Sequence, residues 1–213
     1  MVAGSNPAEG ATWYNVLVIN YSSDFLINEI KNVEINKTAV YLKNFIDKDH
    51  LPKWAEILNS MYEVANNDFD EELNSYLNKD IEYLIGELIV HKDLYFNFKS
   101  NKNIVKKYFK IVPLMLEELQ SLLQINQHPF GFYGPKISLG NYYAGFHKDN
   151  WNGAALQCEG KAIWRLVDEN GTLNQYVLEP GDFVFFHKSL YHEISVEGPR
   201  ATLLFNSNGI WYN

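Results

Sequence analysis

The spacing of apolar positions changes character near residue 128. Before it, helical spacing dominates. Leu51-Pro52-Lys53-Trp54 opens a run through Ile57, Leu58, Met61 and Val64, with a proline where the first turn of a helix tolerates one. Asp68 to Val90 carries Leu73, Leu77, Ile81, Leu84, Ile85 and Leu88 at three- and four-residue steps, which predicts a second amphipathic helix. Its acidic start, Asp68-Phe69-Asp70-Glu71-Glu72, suits the positive end of the helix dipole. Ile104 to Ile125 predicts a third helix, kinked or broken at Pro113. Val16–Ile19 and Thr38–Leu42 read as short strands.

From Phe130 onward the period shortens. Lys136–Phe146, Ala154–Val167, Gln175–Leu178, Phe183–Phe186, Glu193–Val196 and Ala201–Phe205 are apolar and strand-like. Turn formers separate them: Asn152-Gly153, Glu159-Gly160, Asn170-Gly171, Pro180-Gly181-Asp182 and Gly198-Pro199. Many short strands at tight spacing predict a closed or sandwiched β-fold. With no repeat and no long linker, the expectation is an α+β chain. A mainly helical region, 13–128, packs on a β core, 129–213, as one integrated domain.

Composition narrows the classes. The chain has 213 residues, 46% hydrophobic and 15% aromatic, enough to bury a substantial core. Its formal charge of −8 argues against a sequence-blind nucleic-acid binder, which needs a basic face. Cys158 is its single cysteine, so neither an internal disulfide nor a Cys-rich zinc site is available. No apolar run approaches the roughly 20 residues that span a bilayer. Met1 to Trp13 lacks the basic and apolar regions of a signal peptide, and the expectation is a cytoplasmic protein. Val2-Ala3-Gly4-Ser5-Asn6-Pro7-Ala8 looks like a transfer-RNA gene's T-arm read through in one frame. Residues 1–12 are therefore expected to be a disordered tail, with the protein proper starting near Trp13.

Candidate chemistry lies in the second half. His147-Lys148-Asp149 is an H-x-D at the end of a predicted strand, where residues i and i+2 share a face. His192 follows on a later strand that can lie opposite. Two imidazoles and one carboxylate on one face leave other coordination positions open, the arrangement of non-haem Fe(II) oxygenases. An isolated H-x-D is weak, because such short matches arise by chance. His187 is either a substitute ligand or, the better reading, a strand-end residue. His50, His91 and His128 have no ligand spacing. P-loop, G-x-G-x-x-G, G-x-S-x-G and H-E-x-x-H motifs are absent, and Cys158 has no evident histidine partner.

The wider motif context sharpens this. Tyr143-Ala144-Gly145-Phe146-His147-Lys148-Asp149 resembles the Y-x-G-x-H-x-D segment of 2-oxoglutarate/Fe(II) oxygenases. Leu156-Gln157-Cys158-Glu159-Gly160 through Trp164 is similar to the L-Q-x-x-G-x-x-x-W hairpin of the cupin-like JmjC branch. Leu178-Glu179-Pro180-Gly181-Asp182 and Leu190-Tyr191-His192-Glu193 resemble that branch's P-G-D turn and distal His-Glu. Gly198-Pro199-Arg200-Ala201-Thr202 is similar to the R-x-S/T element that anchors the far carboxylate of 2-oxoglutarate. Where JmjC relatives often carry an anchor two residues past the hairpin glycine, this chain has Ala162. That favours Arg200 and makes the aspartyl/asparaginyl hydroxylase branch an equal alternative.

The resemblance implies a double-stranded β-helix (cupin-type jelly roll) and a hydroxylase using Fe(II), 2-oxoglutarate and O2, releasing succinate and CO2. His147, Asp149 and His192 would hold the iron. Arg200 would hold the cosubstrate through its planar fork, with Thr202 adding a hydroxyl contact. Asn141 and Tyr143 share the parity of His147 and are candidates to touch the cosubstrate, with core packing the competing role. Trp151 is a candidate wall of the substrate pocket. The expected substrate is an amino-acid side chain, of a protein or free, or a small metabolite. Neither nucleic acid nor membrane is an expected partner, and a homodimer is compatible with the helical half. Two rivals remain: a metal-binding cupin enzyme that does not use 2-oxoglutarate, and a non-catalytic cupin-type ligand-binding module.

Overall fold

The computed structural model describes residues 19–68, 94–97, 107, 110–111, 114–115, 132–139, 144–196 and 200–207. The first element is α1 (Ser23–Asn36). Ser22 caps it by accepting the Phe25 N–H, and Leu26, Ile30 and Val33 form its buried stripe. Lys37, at φ 51°, ends it in the left-handed region. The chain continues through β1 (Ala39–Leu42), a 3-10 turn at Lys48–His50, α2 (Trp54–Asp68) and β2 (Leu94–Asn97). The core follows as β3 (Phe132–Leu139), β4 (Ala144–His147), β5 (Asn152–Glu159) and β6 (Ala162–Val167). It closes with β7 (Leu173–Leu178), β8 (Phe183–Phe186), β9 (Tyr191–Val196) and β10 (Ala201–Ser207).

These strands make two antiparallel sheets. One has six strands in the order β1-β8-β5-β10-β3-β2, the other four in the order β4-β9-β6-β7. From β3 to β10 the chain crosses between the sheets at every step except β6 to β7, which stay together in the smaller sheet, the winding of a double-stranded β-helix. Between them Ala155, Val184 and Phe186 of the larger sheet meet Trp164, Leu166 and Ile194 of the smaller. β5 and β8 are buried on both faces, because the far side of the larger sheet is covered too; Phe45 stacks on Phe183 at 4.5 Å. β6 alternates buried and half-buried positions, and most of β7 is exposed, so the smaller sheet buries only its inner face.

Several expectations are revised. Residues 136–146 do not form one strand: β3 and β4 lie in different sheets, and turn-forming Gly140-Asn141 stands between them. Residues 154–167 are not a paired hairpin either. β5 and β6 lie in opposite sheets, and Gly160, at φ 66°, turns the corner. The region before residue 128 supplies two strands of the larger sheet as well as helices. β1 matches the strand expected over 38–42, and α2 the first expected helix. Most of the strand expected at 16–19 lies outside the described residues, with Ile19 bridging Ile46. The helix expected over 68–90 also lies outside them beyond Asp68. Of the helix expected over 104–125, Lys107, Ile111, Leu114 and Met115 are helical and Lys110 is in a turn, the rest lying outside the described residues. No described helix is long and apolar enough to cross a membrane.

Candidate metal centre

β4 and β9 are neighbours, and their register places His147 directly across from His192. The two imidazole centroids are 4.3 Å apart. Asp149, two residues past His147, brings its Oδ2 to 3.6 Å from His192 Nε2. One ligand atom from each of the three lies within 4.8 Å of the others. No other such group of metal-ligating side chains occurs among the described residues.

The ring nitrogens are arranged for ligation. His147 Nδ1 lies 2.8 Å from the Gly145 carbonyl oxygen. A carbonyl only accepts, so Nδ1 donates, and Nε2 is the nitrogen left to face a cation. His192 is buried, packed against the ring of Phe186 at 4.7 Å and that of Trp164 at 6.1 Å. Burial pushes its pKa below the ordinary histidine value; Asp149 opposes that shift and His147 reinforces it. His192 is thereby held neutral, the form that binds a cation. Asp149 is exposed and His147 half-buried, so the trio opens to solvent on one side.

These donors fit a divalent iron. Two imidazoles and one carboxylate, clustered on one side, match the two-histidine, one-carboxylate set that leaves positions for other ligands.

A second cluster lies beside β10. Arg200 is fully buried, and its Nη1 donates to Thr202 Oγ1 at 2.7 Å. The Thr202 hydroxyl donates to Gln157 Oε1, also at 2.7 Å. Burial lowers the Arg200 pKa to about 10, so it remains a cation at neutral pH. Thr202 shares strand parity with Leu204, which packs against the core between the sheets. On β9, His192 shares parity with Ile194 of that same core. Arg200 and Thr202 therefore lie on the face that looks toward the metal trio.

The other candidates fall out as follows. Trp151 is 50% exposed, two residues past Asp149 in sequence. Asn141 and Tyr143 lie outside the described residues, and the break between β3 and β4 removes the continuous strand on which their parity rested. His187 is not part of the trio; its Nδ1 accepts the Ser189 backbone N–H at 3.1 Å. Cys158 is buried, and burial raises its thiol pKa, so it stays protonated. Sequence reasoning assigned no role to Gln157, Phe186 or Gly153. An added Cβ at Gly153 would stand 2.1 Å from the Phe186 ring, the ring that packs on His192. The sequence read Asn152-Gly153 as a turn, whereas both open strand β5, and a glycine heading an apolar strand was the available signal.

No family model matches the sequence. No curated protein matches it either. Solved structures do. One is a prolyl hydroxylase from Trichoplax adhaerens, in complex with a hypoxia inducible factor oxygen degradation domain peptide fragment. It aligns at a TM-score of 0.57 and 11% identity over 88% of this chain and 90% of that one. A Pseudomonas putida prolyl-4-hydroxylase aligns at a TM-score of 0.53 and 15% identity, over 87% and 100% of the two chains. A 2OG-Fe(II) oxygenase family oxidoreductase from Burkholderia pseudomallei aligns at 0.52 and 10%, over 86% and 91%. The fold is that of the 2-oxoglutarate oxygenases. At these identities the likeness is one of fold, and the motif resemblance noted in the sequence agrees with it.

Proposed function

We propose that the protein is a 2-oxoglutarate- and Fe(II)-dependent oxygenase that hydroxylates an amino-acid side chain or a small metabolite. The observation that carries this reading is the convergence of His147, Asp149 and His192 within 4.8 Å on a double-stranded β-helix. Bound Fe(II) supplies the activation of O2, coupled to decarboxylation of 2-oxoglutarate to succinate and CO2.

The chain's own residues do the rest. His192, buried and walled by Phe186 and Trp164, would hold the metal from the buried side. His147 and Asp149 close on it from the open side, where a substrate can approach. Arg200 offers a permanent buried cation to the far carboxylate of the cosubstrate, which a planar fork binds through two parallel hydrogen bonds. Hydroxylation is the outcome favoured by analogy with the prolyl hydroxylase neighbours, and the peptide held by one of them favours a side-chain substrate.

The test is succinate release by protein loaded with Fe(II) without oxygen, then given 2-oxoglutarate and air with a panel of amino acids, peptides and metabolites. Turnover is expected with the wild type, and loss of at least a hundredfold for His147→Ala and Asp149→Ala. Arg200→Ala separates the rivals. A cupin that does not use 2-oxoglutarate would keep its activity in that variant, and a non-catalytic module would bind no metal at all.

A further inference from the structure

We infer that Gln157 and Thr202 form a relay that sets the orientation of the Arg200 guanidinium, and that Thr202 does not donate to the cosubstrate. This makes Gln157 a positioning residue for 2-oxoglutarate. The inference rests on Arg200 being the carboxylate anchor proposed above.

The direction of each hydrogen bond follows from chemistry. Gln157 Nε2 donates to the Glu159 carbonyl oxygen at 2.7 Å. A flipped amide would set two acceptors against each other there, so Oε1 must be the atom facing Thr202. Oε1 only accepts, hence the single hydroxyl proton of Thr202 goes to it, at 2.7 Å. What Thr202 presents to Arg200 is a lone pair, and Nη1 donates into it at 2.7 Å. All three side chains are fully buried, so water does not compete for these groups.

The backbone builds this contact deliberately. β10 pairs with β5 with Ala201 opposite Glu159 and Thr202 opposite Gln157, so Cys158 is an extra residue on β5. Such a bulge re-aims neighbouring side chains. It sets Gln157 directly across from Thr202 while leaving the Glu159 carbonyl within reach of the Gln157 amide. With one nitrogen fixed on Thr202, the guanidinium plane loses freedom before any ligand arrives. A pre-oriented fork binds a carboxylate more tightly than one that must be ordered on binding.

The experiment measures 2-oxoglutarate affinity by calorimetry on Mn(II)-loaded protein, with no turnover involved. Thr202→Val and Gln157→Met are each expected to weaken binding about tenfold, with Thr202→Ser close to wild type. The KM for 2-oxoglutarate should rise accordingly while kcat at saturation changes little. A second readout needs no ligand. Arg165 and Arg200 are the only arginines, so the arginine side-chain NMR spectrum holds two sets of signals. Hindered rotation of the Arg200 Nη groups should be lost in both variants, with Arg165 as the internal control. Should Thr202→Val fail to fold, Gln157→Met decides alone; should Gln157→Met fail, the ligand-free NMR signal of Thr202→Val decides, hindered Arg200 rotation kept there overturning the relay. If Thr202→Val weakens binding and Gln157→Met leaves it unchanged, the hydroxyl touches the cosubstrate directly and the relay is wrong. If neither weakens binding, the cluster is merely structural. If Arg200→Ala binds 2-oxoglutarate normally, the anchor reading itself fails, whatever the NMR signals report of the relay.

Discussion

A methyl group at position 153 would stand 2.1, 2.6 and 2.8 Å from three atoms of the Phe186 ring. The two residues are directly paired across β5 and β8, and the ring lies folded over the glycine. It cannot swing away cheaply, because Phe186 is buried and packs on Trp164 at 5.6 Å and on His192 at 4.7 Å. Gly153→Ala is therefore expected to cost about 1–3 kcal/mol of stability, the usual range for overpacking. It should weaken Mn(II) binding as well, because the displaced ring presses on a ligand. Denaturant unfolding and a metal titration check both, and an alanine variant with unchanged metal affinity would show the ring has room to move. At this scale much was legible beforehand. The spacing of His147 and Asp149 announced a shared side, and the two do converge, although Asp149 lies past the end of β4 rather than on the strand. The roles of Gly153 and Gln157 were hidden, since each depends on a partner across a sheet, one on a ring and one on a bulge.

Strands β8 and β9 are joined by residues 187–190, and this turn carries its own titratable group. The His187 backbone N–H donates to the Thr38 carbonyl oxygen at 3.0 Å, and its Nδ1 accepts the Ser189 N–H at 3.1 Å. Protonating Nδ1 would remove that acceptor. Burial, then the nearby charges of Lys188 and Lys37, hold the His187 pKa below its ordinary value, with Glu169 opposing them. The unfolded chain, titrating near the usual value of about 6.5, then takes up the proton first. The contribution to stability is present above that pH and lost as the pH falls through it. Melting temperatures between pH 8 and pH 5 should therefore fall less steeply in His187→Asn, which keeps an acceptor at the Nδ1 position but cannot be protonated; parallel curves would overturn the assignment. Among the elements, β8 was readable to the residue because an apolar run of four ends at a turn on each side. The sheet assignment of β5 and β6 was not, since adjacent strands with a short glycine turn normally pair. α1 was missed although Leu26, Ile30 and Val33 carry a helical stripe, because three apolar positions among polar neighbours make a weak periodic signal.

Across the whole molecule, the metal trio belongs to one sheet only. His147 and His192 sit on β4 and β9, with Asp149 just past β4, while Arg200 and Thr202 belong to the β10 side of the larger sheet. Strands β5 and β8 of the larger sheet are buried on both faces, whereas β6 and β7 of the smaller bury only one, so the metal would bridge strands of the less protected sheet. β4 is four residues long, pairs only with β9 and does so with a register shift, which makes it the edge of that sheet. A ligand that binds the folded state alone stabilises it by mass action, by about 2.7 kcal/mol at a hundredfold excess over its Kd. For a chain of this size that corresponds to a rise in melting temperature of roughly 5–10 °C. Mn(II) added without oxygen is expected to produce this rise in the wild type and none in Asp149→Ala. 2-Oxoglutarate added afterwards should raise it further, and that second increment should vanish in Arg200→Ala while the first persists. Hydrogen exchange should place the metal's protection on β4 and β9, where the trio joins them, and that of 2-oxoglutarate on β10. Metal protection spread evenly over both sheets would mean that the smaller sheet is not the weaker one.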